Sequence, residues 1–170
     1  MRRKELSQIV PKDKLSDYIG RRLQADEWTK VTQERIDQFA DATDDHQFIH
    51  VDPERASHSP FGGTVAHGFL TLSLLPKLLE PIQIIPEDIV MGVNYGQNRV
   101  RYPHPVPCDS EIRAATTLLE VRDMAADRIL MRSEVVVEIR GVDKPALVVE
   151  SLAMFVLGNG RQAESAEAAQ

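Results

Sequence analysis

An aspartate and a histidine five residues apart, Asp45 and His50, are the side chains best suited to chemistry in this 170-residue chain. They lie in DATDDHQFIHVDPERASHSPFGGTVAHGFLTLSLLPKLL, the stretch from Asp41 to Leu79, which also carries a glycine pair and a strongly apolar run. A carboxylate and an imidazole brought together can hold a water and pass a proton, the work of general acid–base catalysis. Their spacing decides how they can meet. On one helix they would stand roughly 140° apart, because each residue turns about 100°; on a strand they would face opposite sides. Convergence therefore requires a turn or loop after a helix ending near Thr43. The polar cluster Thr43-Asp44-Asp45 and the nearby Pro53 predict one. The spacing alone also fits a loop acid capping local N–H groups and a surface histidine.

His46 and His50 stand four apart with Asp44, Asp45 and Asp52 nearby, a pattern that a continuous helix could turn into a metal site. Val51-Asp52-Pro53 reads poorly as the continuation of that helix, so no metal is expected. Residues Thr64 to Leu75 predict a helix apolar nearly all round, hence buried on every side. Its first N–H groups need partners and offer a place for a developing negative charge. His67 reads as a core histidine fixing the neighbouring loop. Gly68 differs, since a side chain there would obstruct a ligand approaching the helix N-terminus. Gly62-Gly63 is no phosphate loop, lacking the Gly-Lys-Ser/Thr ending. Ser73 and Ser151 have no nucleophile-elbow context. Tyr95 and Asn98 are candidates for lining a pocket, whereas Arg99 and Arg101 read as exposed strand residues.

These residues need a scaffold. Residues 1–16 read as an arm on the body, interrupted by Pro11, and Gly20 to Val31 as extended chain. Thr32 is a plausible N-cap for an amphipathic helix carrying Glu34, Ile36, Phe39 and Ala40 at helical spacing. A short helix begins at Pro53, and Pro76 should kink or end the apolar helix. From Ile89 onward the pattern becomes strands: Val90–Tyr102, Glu111–Val121, Ile129–Arg140 and Ala146–Leu157, separated by proline, aspartate and glycine turns. Val135, Val137 and Ile139 share one face, with Glu134, Val136 and Glu138 opposite. Residues 158–170 read as a disordered polar tail. One apolar helix followed by antiparallel strands is an α+β order.

Composition narrows the function classes. The length suits one domain, and 42% hydrophobic with 27% charged residues is ordinary globular composition. A net charge of −6 argues against nucleic-acid binding. No apolar run reaches the roughly 18 residues a spanning helix needs, and the opening Met-Arg-Arg-Lys turns polar with no signal-peptide core. The single cysteine, Cys108, permits no intrachain disulfide and fits a reducing compartment; a cytoplasmic location is expected.

Asp45-x-Gln47-Phe48-Ile49-His50-x5-Ala56, followed by Ala66-His67-Gly68-Phe69, resembles the two-part motif of the MaoC-like (R)-specific hydratases and dehydratases. Gln47-Phe48 with Ile49-His50-Val51-Asp52 is closer to the nodulation-protein-N-like branch. Asp44 stands where glycine is usual and Phe48 where proline or tryptophan is, departures that touch the acyl pocket rather than the chemistry. The resemblance spans residues 17–157 and implies a single hot-dog domain, an antiparallel sheet wrapped around a long buried helix, paired as a homodimer. It implies hydration of trans-2-enoyl-CoA to (R)-3-hydroxyacyl-CoA, with Asp45 and His50 catalytic, the Gly68 N–H as oxyanion donor, and Gln47 and Phe48 beside Tyr95 and Asn98 at the substrate. No cofactor is implied beyond the coenzyme A of the substrate. A hot-dog thioesterase and a non-catalytic acyl-thioester binder stay open.

Overall fold

The computed structural model describes residues 7–158. Of the arm expected over 1–16 the first six residues lie outside the described residues, as does the expected tail beyond Gly158.

The sheet is built from the alternation in the second half of the chain. Strands β5 (Ile89–Arg101), β6 (Glu111–Ala125), β7 (Arg128–Ile139) and β8 (Val142–Leu157) pair antiparallel. Short strands β2 (Arg22–Gln24) and β3 (Thr29–Lys30) both lie along β6, giving a six-stranded sheet of order β2-β6-β7-β8-β5. Val135, Val137 and Ile139 face the core and are almost wholly buried. The opposite face is charged: Glu138 accepts from Arg22, Gln24 and Arg113, while Arg132 bridges Glu120 and Glu150. One face apolar and one polar is the pattern of a sheet covered on one side only.

What covers it is helical, and here the structure corrects the sequence reading. The expected helix does not begin at Thr64 and is neither long nor buried all round. It forms as two short segments, Gly68–Ser73 and Leu75–Leu79, separated at Leu74. The break precedes Pro76, which has no N–H to give to Leu72 and whose ring crowds that carbonyl. Leu70, Leu75 and Leu78 pack on Ile112, Ala114, Val137, Leu147 and Val149. Phe69, 69% exposed, points away from the sheet. Residues 64–67 run extended because their backbone groups are taken by other segments: Val65 N–H bonds Ile49 C=O, and Ala66 N–H bonds Val106 C=O.

Helices Gln33–Thr43 (α1), Phe48–Val51 (α2) and Pro53–Ser57 (α3) precede the pair Gly68–Ser73 (α4) and Leu75–Leu79 (α5). Thr32 caps α1 as expected, its hydroxyl accepting from Arg35 N–H. At the N-terminus, β1 (Gln8–Val10) pairs parallel with β4 (Ile84–Pro86), and the 3₁₀ turn Lys12–Tyr18 buries Leu15 against Leu118 and Ile129. No helix among the described residues is long and apolar enough to cross a membrane.

Candidate active site

Asp45 and His50 meet because the chain reverses twice between α1 and α3. Asp44, just past α1, adopts the left-handed conformation with φ 58°, and Gln47 is extended. The next residues then wind into a single helical turn, α2, so His50 lies in a short helix rather than the expected loop. One ligand-competent atom each of Asp45, His50 and His67 lies within 4.8 Å of the others.

The left-handed conformation at Asp44 is one that glycine takes freely and aspartate tolerates with strain. A carboxylate there also meets the negative end of the α1 dipole. Asp44→Gly should therefore stabilise the fold by about 1 kcal/mol, read as a shift in the urea midpoint at unchanged slope.

His50 is held in one orientation and one tautomer. Its Nδ1–H donates to Val65 C=O at 2.6 Å, which puts the lone pair on Nε2. Its own backbone carbonyl accepts from Gln33 Nε2 at 2.7 Å, while Gln33 Oε1 accepts from the Thr64 hydroxyl at 2.6 Å. Gln33 thus ties α1, α2 and the 64–67 segment into one frame. Burial pushes the His50 pKa below its ordinary 6.5, so the neutral, basic form prevails at neutral pH. The same depression means that His50 contributes stability above pH about 6.5, lost as the pH falls through its folded-state value.

His67 fixes the loop, as expected: its Nε2–H donates to the Asp45 carbonyl at 2.9 Å. Its ring also stacks on His50, with centroids 3.7 Å apart and planes at 26°. That stacking bears on metal binding. An ion about 2.0–2.1 Å from a nitrogen of each ring must lie in both ring planes, and planes this close to parallel keep the two lone pairs from one point. His46, the other half of the considered ligand pair, turns instead to Asp41 at 2.9 Å, and that contact raises its pKa.

Gly68 opens α4 directly after His67, and no side chain caps this helix N-terminus. The space beside it is not empty. A Cβ on Gly68 would come within 3.2 Å of the Tyr102 ring. Burial raises the Tyr102 pKa above 10.0, so the phenol stays protonated.

The family description "MaoC like domain" matches residues 14–139. The chain belongs to the MaoC-like family. This MaoC-like chain is 44% identical over 142 residues to 3-hydroxyacyl-thioester dehydratase Z of Mycobacterium tuberculosis, covering 84% of this chain and 93% of that protein. It is 49% identical over 130 residues to nodulation protein N of Rhizobium leguminosarum bv. viciae, covering 76% of this chain and 81% of that protein. The unliganded R-hydratase PhaJ1 of Pseudomonas aeruginosa superposes with a TM-score of 0.65 at 19% identity, covering 89% of each chain. The fold is the hot-dog fold of the MaoC-like hydratases.

In this MaoC-like domain the remaining motif residues separate. Gln47 is exposed at the start of α2. Phe48 is half-buried, with the Arg55 guanidinium 4.6 Å above its ring. Tyr95 and Asn98 are exposed on the edge strand β5. Sequence reasoning missed Gln33 and Tyr102. Gln33 gave no signal beyond an ordinary first helical residue, and Tyr102 read as the end of a strand.

Proposed function

We propose that the chain catalyses reversible addition of water to trans-2-enoyl thioesters, giving (R)-3-hydroxyacyl thioesters, with coenzyme A as the expected carrier. The observation that carries this reading is the convergence of Asp45 and His50, a ligand-competent atom of each within 4.8 Å of the other, with the His50 lone pair left on Nε2 and Gly68 following His67 of the same cluster. A relative at 44% identity named as a 3-hydroxyacyl-thioester dehydratase supports the reaction class.

In the hydration direction, the Asp45 carboxylate and His50 Nε2 accept the hydrogens of one water and hold its oxygen over C3. The water oxygen bonds to C3 as one of its protons moves to the pair, and the π electrons pass to the thioester oxygen. The Gly68 N–H receives that oxygen as charge develops on it. The proton held by the pair then goes to C2. Asp45 and His50 share the acid and base roles as a coupled unit.

A short panel of enoyl thioesters tests the reaction by mass and product chirality. Gain of one water with the (R) configuration is the expected result. Release of free thiol would make the chain a thioesterase, and binding without change would make it an acyl-thioester binding protein.

The reaction adds a proton and a hydroxyl with no net oxidation or reduction, so it needs no redox cofactor; we also assign it no metal, which the stacked planes of His50 and His67 support. Prolonged chelation should leave turnover and melting temperature unchanged. Activity lost on chelation and restored by one divalent ion would refute this assignment. A cytoplasmic setting belongs to the same proposal, supported by cysteine usage limited to Cys108.

The working unit in this proposal is a homodimer. Among the described residues strand β5 pairs with β8 alone, and it exposes Val90 (65%), Met91 (52%) and Tyr95 (55%). An open edge with apolar side chains is a template for another strand. Pairing two copies along β5 covers it and puts Tyr95 and Asn98 at the seam. Light scattering should return twice the 19.1 kDa chain mass. A single-chain mass across micromolar concentrations would rule the pairing out.

A further inference from the structure

We propose that His67 is a positioning residue that holds both members of the acid–base pair, gripping Asp45 through its ring N–H and His50 through its ring face. This rests on reading Asp45 and His50 as that pair. His67 is 3% exposed and wedged between two rings, His50 at 3.7 Å and Phe39 at 5.0 Å. Its two nitrogens have opposite situations. Nε2–H donates to the Asp45 carbonyl at 2.9 Å, whereas Nδ1 is buried with no partner among the described residues. A buried nitrogen without a partner is a cost, one that phenylalanine of similar shape would avoid. What histidine supplies here and phenylalanine cannot is the N–H that fixes the Asp45 backbone.

The arrangement also sets the tautomer. A carbonyl can only accept, so the proton sits on Nε2 and the lone pair on Nδ1. His67 is therefore a prop, and the proton traffic belongs to His50. Through one ring, a shift of α4 at its N-terminus would reach the Asp45 carbonyl and the His50 plane together, and small misplacements of reacting groups cost rate steeply.

Two variants and one spectrum test this. His67→Phe keeps a ring between Phe39 and His50 but removes the donor; His67→Gln places an amide N–H near the lost Nε2–H. With wild-type turnover established first, His67→Phe should lose about tenfold to a hundredfold in kcat with KM little changed. His67→Gln should recover part of that loss. A folded His67→Phe with wild-type kcat would overturn the proposal, as would a His67→Gln no better than His67→Phe. The imidazole ¹⁵N spectrum reads His67 without any substrate. It should show protonated Nε2 and bare Nδ1 at neutral pH; a proton on Nδ1 would overturn the proposal whatever reaction the enzyme performs.

Discussion

Asp45→Asn and His50→Asn should each lower turnover at least about a hundredfold while the protein stays folded, the loss expected for a general acid–base group. Asp45 is exposed, and its contact with His67 runs through the backbone carbonyl, which asparagine retains. His50→Asn is a milder probe than His50→Ala. Its amide can still donate to Val65 C=O, whereas alanine would leave that carbonyl without its partner at a cost of about 1–3 kcal/mol. The pH dependence is a separate check. The base must be neutral, and burial depresses the His50 pKa from 6.5, so the acid limb of kcat/KM should lie below pH about 6.5. The Asp45 charge works the other way on His50, raising its pKa. Residual activity of Asp45→Asn should therefore show an acid limb displaced to still lower pH. Variants at both positions with near wild-type rates on enoyl thioesters would remove the catalytic assignment.

The parts of this fold that were legible in the sequence are those whose signal is local. Thr32 caps α1 because its hydroxyl meets an N–H three residues on, and the sequence carries both ends of that bond. The alternation of Val135, Val137 and Ile139 against Glu134 and Glu138 is a period of two that only a half-covered sheet satisfies. The break in the apolar helix was expected from Pro76 and falls two residues before it, at Leu74. Residues 64–67 were misread because apolar content does not distinguish helix from extended chain in a short run. The N–H groups of Val65 and Ala66 are taken by the carbonyls of Ile49 and Val106, partners outside the segment with no local mark.

The site divides the same way. Asp45 and His50 could be named from residue type and motif, and the need for a chain reversal between them followed from helix and strand geometry. How the reversal is made did not follow. It depends on a left-handed Asp44 and on Gln33 bridging the His50 carbonyl and the Thr64 hydroxyl. The second of these is a contact between three segments that meet only in the folded chain. Tyr102 escaped for the same reason: just past β5 it reads as a strand residue, and only packing brings its ring over Gly68.

That contact changes what Gly68→Val reports. Turnover should fall by roughly a hundredfold or more, the effect of losing an oxyanion donor, because the branched side chain stands where a thioester oxygen must approach the backbone. Helix propensity alone would make valine harmless or better than glycine here. In the folded protein, however, the new Cβ comes 3.2 Å from the Tyr102 ring, so either the ring or α4 must move. Tyr102 is 40% exposed and can swing outward, which predicts a modest loss of stability rather than failure to fold. The loss of turnover then has two candidate causes, blocked access to the N–H or a displaced phenol. Combining Gly68→Val with Tyr102→Ala separates them. Removing the ring relieves the crowding, so the melting temperature of the double variant should return to that of Tyr102→Ala alone. If the Gly68 N–H receives the thioester oxygen, turnover should remain about a hundredfold below Tyr102→Ala, since the valine still stands over the same backbone. Turnover that returned together with the melting temperature would make the glycine a packing requirement of Tyr102 and move the oxyanion site elsewhere.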